Sequence, residues 1–233
     1  MKNHNFYILF FIILVFNSCS YPKIAFDEQV YFNDFESDNL TKIDGGNLIN
    51  FNNSKILGNY NNDGFILHID DVDDHDYIFI SFELYIHGSW DGNANGFSNN
   101  DKPDKWILEI DPYMSLHSDS SSNRFETTFS NSVCYPNYCL RQSYPQDFPS
   151  LNNPTIGSIE TNLPALCSNS FFGGPTSLYK IEKGLKHKGK SIVIKMSDEL
   201  YQPNAIDKDG IPQQKCDESW SIDNLSIRII KYE

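Results

Sequence analysis

Two acidic segments, each beside a tryptophan, contain the residue types that bind a hard cation. The first reads Ser-Trp-Asp-Gly-Asn over 89–93, and the second reads Asp-Glu-Ser-Trp over 217–220. Ca²⁺ takes roughly six to eight oxygen ligands from carboxylates, amides and carbonyls. We expect both segments to lie at strand–loop junctions and to converge on a structural calcium ion, with these ligands: Asp91, Asn93, Asp104, Asp217, Glu218 and Asp223. The alternative is that these residues only form solvated turns.

Three aromatic side chains are candidates for stacking on the rings of a sugar ligand. Trp90 and Trp220 lie beside acidic residues, and Tyr144 lies in a segment with little pattern. The alternative for the tryptophans is packing at the edge of a β-sandwich, with the indole N–H bonded to an acceptor.

The elements that must position these residues are strands. Apolar residues alternate with a period of two, and no stretch shows a long helical period with caps. The strongest strand is predicted at 77–86, where alternate residues are apolar and the other face is also aromatic, so we expect it to be central. Further strands are predicted at 30–35, 64–69, 105–111, 125–130, 177–182, 191–196 and 221–230. About eight strands without helices predict an all-β sandwich or barrel.

The N-terminus has the form of an export signal. Lys2 precedes an unbroken apolar run from Phe6 to Phe16, which is too short to span ~30 Å of hydrocarbon. The run ends at Ser18-Cys19-Ser20 and resembles the signal of a bacterial lipoprotein of the Bacteroidetes type, whose cysteine is lipidated. The resemblance implies a signal peptide at 1–18, a tether at 19–29 and a lipid on Cys19 that holds the chain in the cell envelope, at the outer membrane. An ordinary secretory signal is the alternative.

Four further cysteines predict two disulfides in an exported protein, with three possible pairings. Cys134 and Cys139 are close enough in sequence to close a small loop, and Cys167 would then pair with Cys216. Three of the four lie within 131–176, a segment with little pattern. We predict that this segment is a disulfide-stapled excursion from a domain at 30–233.

The charge balance excludes two classes of function. The chain has 18 Lys+Arg against 31 Asp+Glu, for a formal net charge of -13. A nucleic-acid binder needs a basic surplus to displace phosphate counterions, and so does a protein held on anionic lipid by its own surface. We therefore predict no nucleic-acid partner, and membrane attachment only through the lipid on Cys19.

A combined pattern extends in order across residues 65–230. Its segments are FELYIHGSWDGN (82–93), KPDKWILEID (102–111), FETTFSN (125–131), QSYPQDFP (142–149) and DESWSIDNLSI (217–227). The pattern resembles the concanavalin A-like jelly rolls and is similar to MAM and laminin-G modules. This resemblance implies a two-sheet antiparallel jelly roll with paired terminal strands, and a second structural metal site there, at Asp34 and Glu36 beside Asp223. Such modules serve as adhesive, carbohydrate-binding or accessory domains, so a glycan or a surface protein is the implied partner.

Patterns for catalysis are incomplete in this chain. Laminarinase-type glucanases share the jelly-roll fold and use Glu-x-Asp-x-x-Glu, where alternation puts carboxylates on one face of a strand. Here Glu109 and Asp111 are present, but Met114 stands where the second Glu is required. The chain also has no Gly-x-Ser-x-Gly elbow and no His-x-x-x-His pair. We predict a non-catalytic, lipid-anchored binding or adhesion module; the alternative is a glycan-active hydrolase or lyase of the same fold.

Overall fold

Two antiparallel sheets packed face to face form the structure, which confirms the predicted all-β, two-sheet jelly-roll class. The computed structural model describes residues 22–93, 102–112, 123–136, 139–167, 174–201 and 214–233. The elements in chain order are β1 (Ile24–Asn33), β2 (Ile43–Asp44), β3 (Leu48–Phe51), β4 (Ser54–Tyr60), β5 (Gly64–Ile69), β6 (Tyr77–Gly88), β7 (Lys105–Ile110), β8 (Arg124–Thr128), β9 (Ser158–Leu163), β10 (Thr176–Lys186), β11 (Ile192–Glu199), α1 (Gln214–Asp217) and β12 (Glu218–Tyr232). In the part of the chain that the structure describes, no helix is long and apolar enough to cross a membrane.

The seven-stranded sheet has the order β3-β4-β12-β6-β10-β9, and β1 also pairs with β12. The 15-residue strand β12 is long enough to take two neighbours on one edge. Its first half pairs with β4 from Trp220 to Ile222, and its second half pairs with β1 from Leu225 to Tyr232. The other edge of β12 pairs with β6, which is therefore central, as the alternating sequence predicts.

The five-stranded sheet has the order β2-β5-β11-β7-β8. Apolar residues at alternate positions of both sheets point between them and form one core. The five alternating residues of β6 are all buried there, namely Ile78, Ile80, Phe82, Leu84 and Ile86. Burying one such side chain contributes about 1.5–3 kcal/mol. The alternation along β6 is therefore a main reason why this face of the strand packs into the core.

The predicted tether is shorter than the sequence suggests. Strand β1 begins at Ile24, so residues 24–29 are paired with β12 and do not form a free linker. Arg228 reinforces the pairing through two hydrogen bonds from its guanidinium to the Asp27 carboxylate. The predicted signal peptide and Cys19 lie outside the described residues.

The hairpin β3–β4 has no counterpart among the predicted strands. Phe51 pairs with Ser54 across the two-residue turn Asn52-Asn53, whose φ angles are 49° and 68°. Two left-handed residues form the type of turn that matches the twist of a hairpin, and Asn tolerates that conformation. The two Asn residues supply the turn that joins the two strands.

The segment 131–176 is stapled by both predicted disulfides. Cys134 pairs with Cys139, and Cys167 pairs with Cys216. The sequence did not predict that part of this excursion is a strand: β9 pairs with β10 and forms one edge of the seven-stranded sheet.

Candidate metal centre

The structure brings three of the predicted metal ligands together at one end of the sandwich. Asp91 follows β6, Asp104 precedes β7, and Glu218 is the first residue of β12. One oxygen from each of their carboxylates lies within 4.8 Å of the other two. We call these three residues the acidic cluster. Three segments that are distant in sequence meet there because β6 pairs with β12, with Gly88 opposite Glu218.

Backbone donors hold the Asp104 carboxylate in place. Its Oδ2 accepts the N–H of Asp91 at 2.9 Å, and its Oδ1 accepts the N–H of Tyr201 at 3.2 Å. Asp104 itself is buried. The N–H of Asp104 in turn donates to the carbonyl oxygen of Gly92 at 2.9 Å, so the carboxylate is fixed from both sides of the loop.

Glu218 carries a buried oxygen without a hydrogen-bond partner. The residue is 4% exposed, and no donor among the described residues lies within hydrogen-bond distance of its Oε2. Leaving a buried acceptor unpaired costs about 1–3 kcal/mol, and more for a charged group. The arrangement requires a proton or a cation at this oxygen.

Burial, together with the neighbouring charges, raises the pKa values of Asp104 and Glu218. Burial raises the pKa of Asp104 from 3.8 to about 7; the two backbone donors lower it, and the charges of Asp91 and Asp217 raise it. Burial, and then the charges of Asp104, Asp91 and Asp217, raise the pKa of Glu218 well above its ordinary value. A cation would remove this repulsion and leave all three carboxylates ionised.

Asp217 lies beside the acidic cluster and is held by Ser89. The Ser89 hydroxyl donates to its Oδ1 at 2.7 Å, and the Ser89 N–H donates to its carbonyl oxygen at 2.8 Å. Its neighbour Cys216 is bonded to Cys167, so the disulfide fixes the short helix that leads into Glu218. Asp217 is therefore close enough to act on the cluster by charge, but it is not one of the three converging carboxylates.

The prediction of Asn93 as a metal ligand requires correction. Its Nδ2 donates to the carbonyl oxygen of Ser150 at 2.6 Å. Its Oδ1 accepts from the hydroxyls of Thr128 and Ser143. Because both ends of the side-chain amide are occupied, Asn93 fastens the loop at 141–152 to β8, and its Oδ1 is held by protein hydroxyls and not by an ion.

Asp223 also lies apart from the acidic cluster, so the prediction that it converges there is wrong. It pairs in register with Glu83 on β6, in the middle of the sheet. Ser54 Oγ lies 2.7 Å from Glu36 Oε1 and 3.3 Å from Asp223 Oδ2. Burial raises the pKa of Asp223 to about 6, and the charges of Glu83 and Glu36 raise it as well.

Asp34 supports Glu36 but does not reach Asp223 through any described contact. Its Oδ1 accepts the N–H of Glu36 at 3.2 Å, which closes a local turn. Among the described residues, these carboxylates do not form a group of three that could hold a metal; the acidic cluster is the one such group. The second metal site therefore stays a prediction from the resemblance, without the converging oxygens that distinguish the first.

The three predicted sugar-stacking residues are buried, so that prediction is wrong. Trp90 donates its Nε1–H to the carbonyl oxygen of Ser219 at 3.0 Å, and Trp220 donates to Asp198 Oδ1 at 2.8 Å. Tyr144 packs against Phe129 and Tyr179 in the core. The residue types indicated aromatic rings that carry a polar atom. They did not show that the indole N–H groups find acceptors inside the sandwich.

The two carboxylates considered for catalysis belong to different networks. Glu109 accepts from Arg124 Nη1 at 2.8 Å and lies 3.2 Å from Lys195 Nζ on the outer face of the five-stranded sheet. Asp111 follows β7. Its carboxylate accepts the N–H of Val193 and lies 2.7 Å from Nε2 of His187. An ion-paired carboxylate and a sheet-bridging carboxylate do not make the facing pair that glycoside hydrolysis requires.

Asp198 is a structural residue of the site that the sequence analysis missed. It is buried and accepts the Trp220 indole N–H as well as the backbone N–H of Asn62, at 2.5 Å, and of Asp63, at 3.2 Å. Trp220 is two residues after Glu218, so this network positions the start of β12. Its sequence signal is a single acidic residue at an inward position of a strand.

Comparisons with known proteins give a structural likeness and no significant match by sequence. No protein-family model matches the chain, and no curated protein matches it significantly. One similar solved structure is the carbohydrate-binding module CBM6cm-2 from Cellvibrio mixtus lichenase 5A in complex with cellotriose, at 8% identity and a TM-score of 0.34, covering 86% of this chain and 97% of that chain. At this TM-score the likeness carries no argument about the ligand of this chain.

Proposed function

We propose that this protein is an exported, non-catalytic binding module of a cell envelope whose loop end is stabilised by a calcium ion. The observation that carries the proposal is the acidic cluster, with its unpaired buried oxygen on Glu218. The lipid on Cys19, the outer membrane as location and a glycan as the ligand are further parts of the proposal. They rest on the sequence resemblances.

The donors of the acidic cluster suit calcium. Ca²⁺ takes oxygen ligands at about 2.3–2.6 Å in a flexible geometry. One oxygen from each of the three carboxylates lies within 4.8 Å of the other two, so a single ion can contact all three. All three ligands are carboxylates, the donors that hard cations prefer.

The location outside the cytoplasm is supported by the disulfides. Cys134–Cys139 and Cys167–Cys216 are both formed, and such bonds persist in oxidising compartments. A signal peptide at 1–18 agrees with this location. Replacing Cys19 by Ser should abolish incorporation of labelled palmitate and release the protein from the membrane fraction.

Glycan-active catalysis is the second candidate function, and the geometry disfavours it. Both carboxylates that the sequence offered, Glu109 and Asp111, are held by other protein groups. Turnover of a panel of β-glucans and alginates that is lost in Glu109→Gln would favour the enzyme. Binding to a glycan array without turnover would favour the module.

The calcium part is tested by thermal unfolding and calorimetry of the mature protein. Ca²⁺ should raise the melting temperature, EDTA should lower it, and titration should show one site. In Glu218→Gln both responses should disappear, whereas the exposed control Glu160→Gln should respond like the wild type. A melting temperature that is the same in Ca²⁺ and EDTA, with no heat of binding, would refute the site.

A further inference from the structure

Two histidines meet side by side at the other end of the sandwich from the acidic cluster. His75 precedes β6 and His187 follows β10, and both are buried. Nε2 of His75 lies 2.7 Å from Nδ1 of His187, and the ring planes are 9° apart. Rings stacked face to face lie at least about 3.5 Å apart, so a 2.7 Å contact means that the two nitrogens point at each other, edge to edge. We call these residues the histidine pair.

The outer nitrogens of the histidine pair are both bound to oxygen acceptors. Nδ1 of His75 lies 2.7 Å from the carbonyl oxygen of Asp73, which can only accept, so this nitrogen carries a hydrogen. Nε2 of His187 lies 2.7 Å from Oδ2 of Asp111. The other oxygen of that carboxylate accepts the N–H of Val193 at 2.9 Å.

Counting the hydrogens along this series of contacts shows that one hydrogen is missing. A neutral imidazole carries one N–H, and an ionised carboxylate only accepts. If both outer nitrogens donate, the two facing nitrogens present lone pairs to each other at 2.7 Å. One additional proton resolves this conflict, whether it lies between the rings or moves along the chain to Asp111.

A metal ion does not fit between the facing nitrogens. Zn–N bonds are about 2.0–2.1 Å long, so two imidazole ligands of one tetrahedral zinc ion have nitrogens about 3.3 Å apart. The observed 2.7 Å is too short for that arrangement and suits a shared proton.

We infer that His75, His187 and Asp111 hold one shared proton, and that this proton fastens the two sheets together. His75 and His187 belong to segments that flank strands of the seven-stranded sheet, whereas Asp111 and Val193 belong to the five-stranded sheet. The chain of bonds therefore crosses from one sheet to the other. The inference is independent of the calcium site.

The shared proton makes stability depend on pH with a definite sign. In the unfolded chain both imidazoles are neutral above about pH 7, since free histidine titrates near 6.5. The folded state then holds one more proton than the unfolded state, so stability falls as the pH rises. One extra proton raises the unfolding constant about tenfold per pH unit.

Other charged groups at this end of the sandwich are paired with one another. The carbonyl oxygen of Asp76 accepts the N–H of His187 at 3.1 Å, and the partly buried carboxylate of Asp76 faces Lys188 and Lys231. Asp74 also pairs with Lys231. These ion pairs are present in the wild type and in Asp111→Asn alike, so their contribution cancels when the pH slopes of the two proteins are compared.

The decisive variant is Asp111→Asn, because it closes the chain without the additional proton. The amide oxygen can accept the N–H of Val193, and the amide nitrogen can donate to Nε2 of His187. Nδ1 of His187 can then donate to Nε2 of His75, with both rings neutral. The number of hydrogen bonds stays the same, and the additional proton is no longer required.

The experiment is urea unfolding of the full mature chain, with its disulfides intact, at pH 7 to pH 9. The unfolding constant of the wild type should rise about tenfold more per pH unit than that of Asp111→Asn. His68→Gln is the matched control, since His68 also pairs with a carboxylate, that of Asp44, but is exposed. It should keep the wild-type slope. Equal slopes for the wild type and Asp111→Asn would overturn the inference.

A second measurement decides the matter if the variant does not fold. In the wild-type protein labelled with ¹⁵N, one imidazole hydrogen should couple to two nitrogens, one from each ring. Two ring hydrogens that couple only within their own rings would overturn the shared proton. So would one equivalent of metal in the purified protein that is lost in His187→Gln.

Discussion

In the absence of calcium, Asp104 should make the protein lose stability as the pH rises from 5 to 8, relative to a variant that cannot ionise at this position. Burial raises the pKa of Asp104 to about 7 in the folded state, against 3.8 for an ordinary aspartate. A group whose folded pKa is raised stabilises the fold most below its unfolded pKa, and this stabilisation is lost as the pH rises through the folded value. From pH 5 to pH 8 this one carboxyl removes about 3 kcal/mol of unfolding free energy, because about two of these pH units lie below the folded pKa and each corresponds to about 1.4 kcal/mol.

Calcium should oppose this loss, because the cation binds the ionised carboxylates. A ligand at a concentration 100 times its Kd stabilises the folded state by about 2.7 kcal/mol. The stabilisation should be larger at pH 8 than at pH 5, where protons compete for Asp104 and Glu218. In saturating calcium the pH profile should therefore be flatter than in EDTA.

Tryptophan fluorescence during urea unfolding measures these free energies, because Trp90, Trp106 and Trp220 are all buried in the folded state. Asp104→Asn cannot ionise, so the free energy of unfolding of the wild type in EDTA should fall by about 3 kcal/mol relative to that of this variant. Glu160→Gln, on β9, should show the same fall relative to Asp104→Asn as the wild type does. A wild-type profile in EDTA that runs parallel to the Asp104→Asn profile between pH 5 and pH 8 would refute the reasoning.

Further predictions follow from other contacts of the site. Replacing both Cys167 and Cys216 by Ser should lower the free energy of unfolding by about 4 kcal/mol, from loop closure over 49 residues, and should weaken calcium binding measured by calorimetry. Asn93→Ala should cost about 1–3 kcal/mol and speed proteolysis of the loop at 141–152, with calcium affinity unchanged; a loss of affinity would restore it as a ligand. Trp220→Phe should cost about 1–3 kcal/mol by removing one of the three donors of the buried Asp198, and glycan binding, where detected, should persist.

The central part of the fold could be predicted because its signal is local. Alternation along 77–86 indicates which residues of β6 face the core, and the structure buries those residues. The class of the fold follows from many such strands without helices. Of the three pairings that the sequence leaves open, the structure has the one in which the closely spaced Cys134 and Cys139 close a small loop and Cys167 pairs with Cys216.

The rest of the fold depends on contacts that the sequence does not display. Strand β9 and the hairpin β3–β4 are short and rich in Asn, Ser and Thr, and they are strands because longer neighbours pair with them. Whether a tryptophan side chain faces the core depends on acceptors that come from other segments, Ser219 for Trp90 and Asp198 for Trp220.

The candidate site shows the same division between local and long-range information. The approach of Asp91 and Asp104 to Glu218 was predictable from acidic residues at strand ends. The exclusion of Asn93 was not, because its partners are supplied by a loop about 50 residues away. The histidine pair joins residues 112 apart in sequence and has no motif of its own.

The length of strand β6 sets the distance between the two ends of the sandwich. Its 12 residues span about 40 Å, from Tyr77 beside the end of β12 to Gly88 beside Glu218. Ile24 pairs with Tyr232 at the first of these ends, and the five residues from Cys19 to Ile24 reach at most about 18 Å. On a chain lipidated at Cys19 with upright strands, the acidic cluster would stand several nanometres above the bilayer. An ion bound there would then exchange with the medium beyond the lipid headgroups. The fraction of molecules that hold an ion would follow the calcium concentration of that medium.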